Sequence, residues 1–252
     1  ATLCAQLAAE GFGKLAAAVG ENLGTPEQKV YTGTVGQLAA SRFESLSVLL
    51  VEAAQVPSRR TQGLPDEAFA RGKVPMTKQE VRAAVLAKLG VQPGELLWDV
   101  GAGTGSVSVE LALAAPRGRV YAVECDPEAC ALIRQNKEKF AVRNLTLVEG
   151  TAPAALENLP APDAVFIGGT KGNMAAVVEA ALARNPAARI CISAIALETL
   201  SAAVAALTAH GLQAEVCQIS VSRAKAAGKL HLLMANNPIF LITRADEAEK
   251  SV

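Results

Sequence analysis

The 252-residue chain is 51% apolar but only 4% aromatic, and its 24 lysines and arginines balance 24 aspartates and glutamates. At about 150 residues per domain this length allows one large or two small domains, and a core of Ala, Val, Leu and Ile suits helices over a buried sheet better than an aromatic-layered sandwich. The zero net charge argues against a nucleic-acid partner, and no apolar run is long enough for a membrane span or preceded by the basic segment of a signal peptide.

Residues 3–19 are Ala-rich and read as a helix followed by a short strand. A turn follows around Gly24–Pro26, then a helix over 34–42 and a buried strand, LSVLLV, over 46–51. Residues 1–55 are thus α/β in character, yet too short to bury a core unaided, so they read as part of a domain. The chain begins at Ala1 without Met, as expected of a processed chain or a piece of a longer one. Residues 56–71 mix Pro, Gly and both signs of charge and read as a linker.

Over 72–243 the rhythm becomes regular. Thr77 and Glu80 have capping-box spacing for a helix that stops at Gly90. Leu96–Val100 is a strand, Gly101–Gly105 a glycine loop, and a helix runs to about Ala114. A second strand, Arg119–Val123, ends at Glu124; Asp126 and Pro127 start a helix reaching about Phe140. Strands follow over 145–148, 164–167 and 189–193, with a short helix over 152–158 and full ones over 173–184 and 198–210. Two last strands, 213–221 and 229–243, have no helix between them and predict an antiparallel edge; Pro238 suggests a bulge or edge position. The expected fold is α/β: a doubly wound, mostly parallel seven-stranded sheet of Rossmann-like type, with a small α/β N-terminal segment. Residues 244–252 read as a flexible tail.

The strongest constellation is Asp99-Val100-Gly101-Ala102-Gly103-Thr104-Gly105, lying between a strand and a helix. Its GxGxG spacing lets backbone approach a ligand, but Ser106 stands where the dinucleotide fingerprint has its last glycine. That favours S-adenosylmethionine over a pyrophosphate-containing cofactor such as NAD. Glu124, at the next strand tip, can accept from both ribose hydroxyls, and Thr151 and Ala152 follow the third strand where adenine should lie. Asp99 alone reads equally well as a loop-ordering carboxylate and receives no chemistry. Five scattered cysteines without a CxxC pair read as buried, reduced thiols of a cytoplasmic protein. With two histidines in no ligand spacing, no metal site is expected. Glu110 and Arg82 read as helix-surface charges, and His231 as a satisfied core or cleft group.

GKVPMTKQEVR (72–82), DVGAGTGSVSVE (99–110), VYAVECDPEAC (120–130), EGTAPAALENLPAPDAVFIGG (149–169), ISAIALETL (192–200) and Asn237-Pro238 together resemble the decarboxylating precorrin methyltransferases of cobalamin biosynthesis. The resemblance covers most of 72–243. Residues 21–51 resemble the end of the C5-methyltransferase half of the fused C5,15 enzymes, most of which is absent here. The GGTKG loop at 168–172 departs from the family pattern through Lys171.

The resemblance implies S-adenosylmethionine as cofactor, a precorrin tetrapyrrole as substrate, methylation at C15 coupled to loss of CO2 from the C12 acetate, and a homotetramer. It places the segment with Met76 and Thr77 over the cofactor. A polycarboxylate ring should meet cations, and Lys73, Lys171 and Arg223 are the candidates, with Gly168 and Gly169 letting the ring approach backbone. No protein catalyst is nominated, because the conjugated ring is its own nucleophile and electron sink. The rival readings are a methyltransferase acting on another small molecule or on RNA, and a non-catalytic cofactor-binding subunit.

Overall fold

The computed structural model describes residues 2–52, 62–228 and 230–245. The expectations for residues 56–61, Lys229 and most of the tail fall outside the described residues. The chain divides into two compact units, Ala1–Arg59 and Arg60–Val252.

The first unit holds α1 (Thr2–Leu7), which widens into a further turn over Ala8–Phe12, then β1 (Ala16–Glu21), β2 (Lys29–Thr34), α2 (Val35–Ala39) and β3 (Ser47–Val51). Its sheet is antiparallel, in the order β2-β1-β3. Cys4, Ala17, Val19, Val35 and Leu38 form its small core. Thr34 and Gln37 make a reciprocal capping box on α2. β2 was not expected from its KVYTGT sequence. It forms because Asn22 and Gly24, both at positive φ, reverse the chain and bring it alongside β1. β3, expected to be buried, leaves Val48 and Leu50 exposed.

The second unit contains α3 (Gln79–Leu89), β4 (Leu96–Val100), α4 (Ser106–Ala114), β5 (Arg119–Glu124), α5 (Pro127–Lys139) and β6 (Leu145–Glu149). β7 (Ala164–Ile167), α6 (Met174–Arg184), β8 (Arg189–Ala194) and α7 (Leu197–Ala209) follow. The chain continues through β9 (Ala214–Ile219), β10 (Ser222–Ala227), β11 (Leu230–Ala235) and β12 (Ile239–Arg244). Seven strands form one sheet in the order β6-β5-β4-β7-β8-β12-β9. β4 to β8 are parallel, and β12 lies antiparallel between β8 and β9. This is the mixed sheet that the alternation of strand and helix predicted.

Alternate side chains of the parallel strands feed two cores, as the two-residue strand period demands. Leu97, Val120, Ala122, Ala164 and Phe166 pack with α3 and α4 on one face. Trp98, Val100, Val165, Ile167 and Ile192 pack with α6 and α7 on the other. The strand expected over 229–243 is two strands. It breaks at Asn236–Pro238, so Pro238 lies outside any ladder and owes no N–H. The first piece, β11, pairs with β10 as a separate antiparallel hairpin. His231 consequently sits exposed on that hairpin rather than in the core or cleft.

Three local expectations are corrected. α3 begins at Gln79, and the Thr77–Glu80 capping box does not form. Its first N–H is instead met by Asp66, whose Oδ1 accepts from Gln79 N at 2.9 Å. Arg82 and Glu110 are fully buried, not helix-surface charges. Arg82 Nε donates to Glu110 at 2.8 Å and Nη1 to Asp66 at 2.9 Å, and Glu110 also accepts from the backbone of Gly63 and Leu64. The segment at 62–70, which reads as surface from its composition, folds over both helices and supplies these partners.

Candidate functional site

The carboxyl ends of β4, β5 and β7 meet at one point, because parallel neighbours end in register. β4 gives way to the glycine loop, where Gly101, Gly103 and Gly105 all adopt positive φ. That conformation suits glycine and strains any other residue. Gly101 N and Ala102 N donate to Val123 O at 3.0 and 3.2 Å, which ties the loop to the β5 tip. A Cβ on Gly101 would overlap the Gly169 backbone, and one on Gly105 would stand 2.9 Å from Ile133 Cγ1. Small residues here are a packing requirement as well as a ligand cradle.

Glu124 closes the other side of the loop. Its Oε2 accepts from Gly103 N at 2.9 Å, and its Oε1 from Cys125 N and Asp126 N at 2.8 and 2.9 Å. Two carboxylate oxygens offer about four acceptor sites, so three donors leave capacity for a ligand hydroxyl. Asp126 caps α5 through Ala129 N at 2.9 Å, as its sequence position suggested.

A cavity of about 990 Å³ opens over these tips. Lys73, Met76 and Thr77 line it from the segment before α3. Gly101, Ala102, Gly103, Thr104 and Glu124 line its floor, Thr151 and Ala152 follow β6, and Gly168, Gly169 and Lys171 follow β7. The structure thus brings together thirteen of the fifteen residues named from the sequence. Gly105 is the one floor residue left out: it packs beneath the loop against Ile133. Arg223 is the other. Its guanidinium donates to Glu80 at 2.7 Å and Asp66 at 3.2 Å, and these two ion pairs hold it toward α3. The covering segment lies close to the loop, since a Cβ on Gly103 would meet Pro75 O at 3.2 Å.

Sequence reasoning missed the far half of this cavity. Ser193–Ala196 and Thr199 reach it from β8 and α7, and Ile219, Val221, Asn236, Asn237 and Ile239 from the antiparallel edge. The available signal was that Ser193–Thr199 and Asn237 lie in stretches that carry the resemblance, ISAIALETL and Asn237-Pro238. Among the described residues no group of His, Cys, Asp or Glu could hold a metal ion.

The electrostatics follow from burial. Burial pushes the Asp99 carboxyl up to about 7 against the hydrogen bond from Ser108 Oγ, which lowers it. The Cys125 sulfur beside Lys171, then Glu124 and Asp126, hold the Lys171 ammonium above its usual range. Lys171, at a left-handed φ of 50°, follows the β7 tip with its ammonium beside the Cys125 sulfur at the β5 tip. Thr104 Oγ1 is buried at the cavity floor without a hydrogen-bond partner. A glycine cradle and a carboxylate with spare acceptor sites in one cavity fit a nucleoside ligand.

The sequence profile of the precorrin methyltransferase domain matches residues 67–244. A Pyrobaculum calidifontis protein named "Probable cobalt-precorrin-6B C(15)-methyltransferase (decarboxylating)" is 47% identical over 186 residues, covering 73% of this chain and 95% of that protein. The precorrin-6Y C(5,15)-methyltransferase (decarboxylating) of a Sinorhizobium species is 40% identical over 179 residues, 70% of this chain but 43% of that longer protein. The crystal structure of precorrin-6y C5,15-methyltransferase from Geobacter metallireducens GS-15 superposes with a TM-score of 0.71 at 40% identity, covering 77% of this chain and all of that one.

Proposed function

This chain belongs to the precorrin methyltransferase family, and on that premise we propose that it methylates C15 of a precorrin macrocycle and removes CO2 from the C12 acetate, in cobalamin biosynthesis. The observation that carries the reading is the single cavity in which the glycine loop and Glu124 face a broad second compartment. About 990 Å³ is at the upper end of the roughly 300–1,000 Å³ usual for small-molecule sites, more than a nucleoside cofactor alone fills.

S-adenosylmethionine, when bound, supplies a methyl group on a positively charged sulfur. The chain's own residues would hold it: the backbone of Gly101–Thr104, Glu124 through its spare acceptor sites, and Thr151 and Ala152 beyond β6. Met76 and Thr77 would cover it from the segment before α3. Gly168 and Gly169 present bare backbone to the ring, which lets a reacting carbon come within about 3 Å of the methyl. Lys73 and Lys171 face the ring's carboxylates. No histidine or tyrosine lines the cavity among the described residues, which suits a substrate that is its own nucleophile.

We extend the reading to the rest of the molecule. Residues 1–55 correspond to the end of a C5-methyltransferase half, supported by the fused relative in which the matched part is 43% of the length. A homotetramer is supported by Leu230, Leu232, Leu233 and Met234, all more than half exposed on the β10–β11 hairpin. A cytoplasmic setting is supported by five free cysteines and by the absence, among the described residues, of a helix long and apolar enough to cross a membrane.

The test is turnover of purified protein with the precorrin substrate and S-adenosylmethionine, read by mass spectrometry. One methyl gained and one CO2 lost is the expected product. A methylated RNA, or binding of the cofactor with no change in the ring, would overturn it.

A further inference from the structure

We propose that the uncharged end of the cavity is the subsite for the single acetate that leaves as CO2; the inference rests on the precorrin reading above and gives that step its residues. The lining is divided by chemistry. Its lysines, at 73, 78 and 171, come from the covering segment and the β7 tip, and its acids from the β5 tip and the start of α5. The lining supplied by β8, α7 and the antiparallel edge carries no ionisable side chain among the described residues. Its polar groups are Ser193, Thr199, Asn236 and Asn237, beside Ile195 and Ala196. Arg223, two residues beyond the lining residue Val221, is the nearest cation in sequence. Its charge is matched by Glu80 and Asp66 and turned away.

The division matters because the carboxylates of the ring have different fates. Those that are retained gain from an ammonium partner. The one that departs must give up its charge. In the reacting step the bond between the acetate methylene and its carboxylate carbon breaks, and that carbon leaves as CO2. The bonding pair passes into the electron-poor ring, and the methylene then takes a proton from water to become a methyl group. No oxidant or reductant is needed. A lysine beside this carboxylate would stabilise the localised charge of the ground state more than the dispersed charge of the transition state, and so slow the step. Amides and hydroxyls orient the group by hydrogen bonds without neutralising it. The segregation therefore selects which carboxylate is lost.

Ile195 and Ala196 allow a direct test, since both line the cavity, both are exposed and neither carries a polar side-chain group. Ile195→Lys and Ala196→Lys are each compared with the Met variant of the same position, which matches the length without the charge. Released CO2 and transferred methyl are quantified in the same reaction. The ratio of CO2 to methyl should fall roughly tenfold or more in the Lys variants and stay near native in the Met variants. An unchanged ratio in the Lys variants overturns the assignment. So does an equal fall in Lys and Met variants, which would make shape the determinant. Loss of both products in Lys variants alone, with native-like thermal unfolding, also overturns it, since the charge would then govern binding of the whole ring. A native enzyme that forms neither product would defeat the family-based reading instead.

Discussion

A single carbon on Gly101 would overlap the Gly169 carbonyl oxygen, and the residue already holds a φ of 71°. Both facts bear on one atom. Gly101→Ala should therefore destabilise the fold by about 1–3 kcal/mol through backbone strain and push the β4 and β7 tips apart. Cofactor affinity should fall further than stability does. Calorimetric titration with S-adenosylmethionine beside a thermal melt checks this, and native-like affinity in the variant would contradict it. Asp99 makes a second prediction. Its carboxyl titrates near 7 in the native chain, pushed up by burial from an ordinary value near 3.8. Across that interval the native state keeps a proton that the unfolded chain has lost, so this group's contribution to stability declines as pH rises, by at most about 1.4 kcal/mol per pH unit. Asp99→Asn keeps the shape and removes the titration. The melting temperature of native protein relative to that variant should fall between about pH 4 and pH 7. A difference independent of pH would count against the buried acid.

At the scale of elements, the cluster Arg82–Asp66–Glu110 does more than fill space. Besides its two carboxylates, Arg82 donates to the carbonyls of Thr77 and Leu64 and stacks 4.6 Å over the Phe69 ring. It thus fastens the cavity roof, at Thr77, to α3 and α4. Arg82→Met leaves Glu110 buried without a cation and Asp66 with Arg223 alone, which should cost about 3–5 kcal/mol. Glu110→Gln in the same chain should recover part of that loss, read by denaturant unfolding; no recovery would argue against a shared charge cluster. This cluster also marks where the sequence stopped being legible. The glycine loop, Glu124 and the Asp126 cap were readable because their partners lie on adjacent strand ends and their geometry is local. Arg82 and Glu110 were not, because their burial depends on residues 62–70 folding back over them. One signal was present: Glu110 lies in VSVELALA, a helix apolar on every side, and a carboxylate there must be paired inside. The hairpin was missed for a related reason. LHLLMA continues the apolar run toward IFLIT, and composition could not show that Asn236–Pro238 ends one strand and turns the chain into another sheet.

At the scale of the whole molecule, that hairpin joins two properties that look separate. Its residues Leu230, Leu232 and Met234 on one face of β11 and Leu233 on the other are exposed to water at 53–74%, apolar surface that a lone chain seldom leaves uncovered. Its base is part of the cavity: Val221 and Asn236 both line it, and Asn236 N donates to Val221 O at 2.9 Å to close the hairpin. Arg223, one residue into β10, ties the same base to Glu80 on α3 and to Asp66. If copies of the chain cover one another's hairpins in the proposed tetramer, assembly fixes the uncharged end of the cavity and leaves the glycine loop untouched. Leu233→Asp should then give a smaller species in sedimentation. It should also raise the KM for the macrocycle several-fold while calorimetric affinity for S-adenosylmethionine stays as in the native protein. The two ligands separate the explanations: a general loss of packing would weaken both, whereas loosening of the hairpin reaches only the compartment whose wall it forms. A variant that remains tetrameric, or one that loses cofactor affinity in step with the macrocycle, would break the link between assembly and the site.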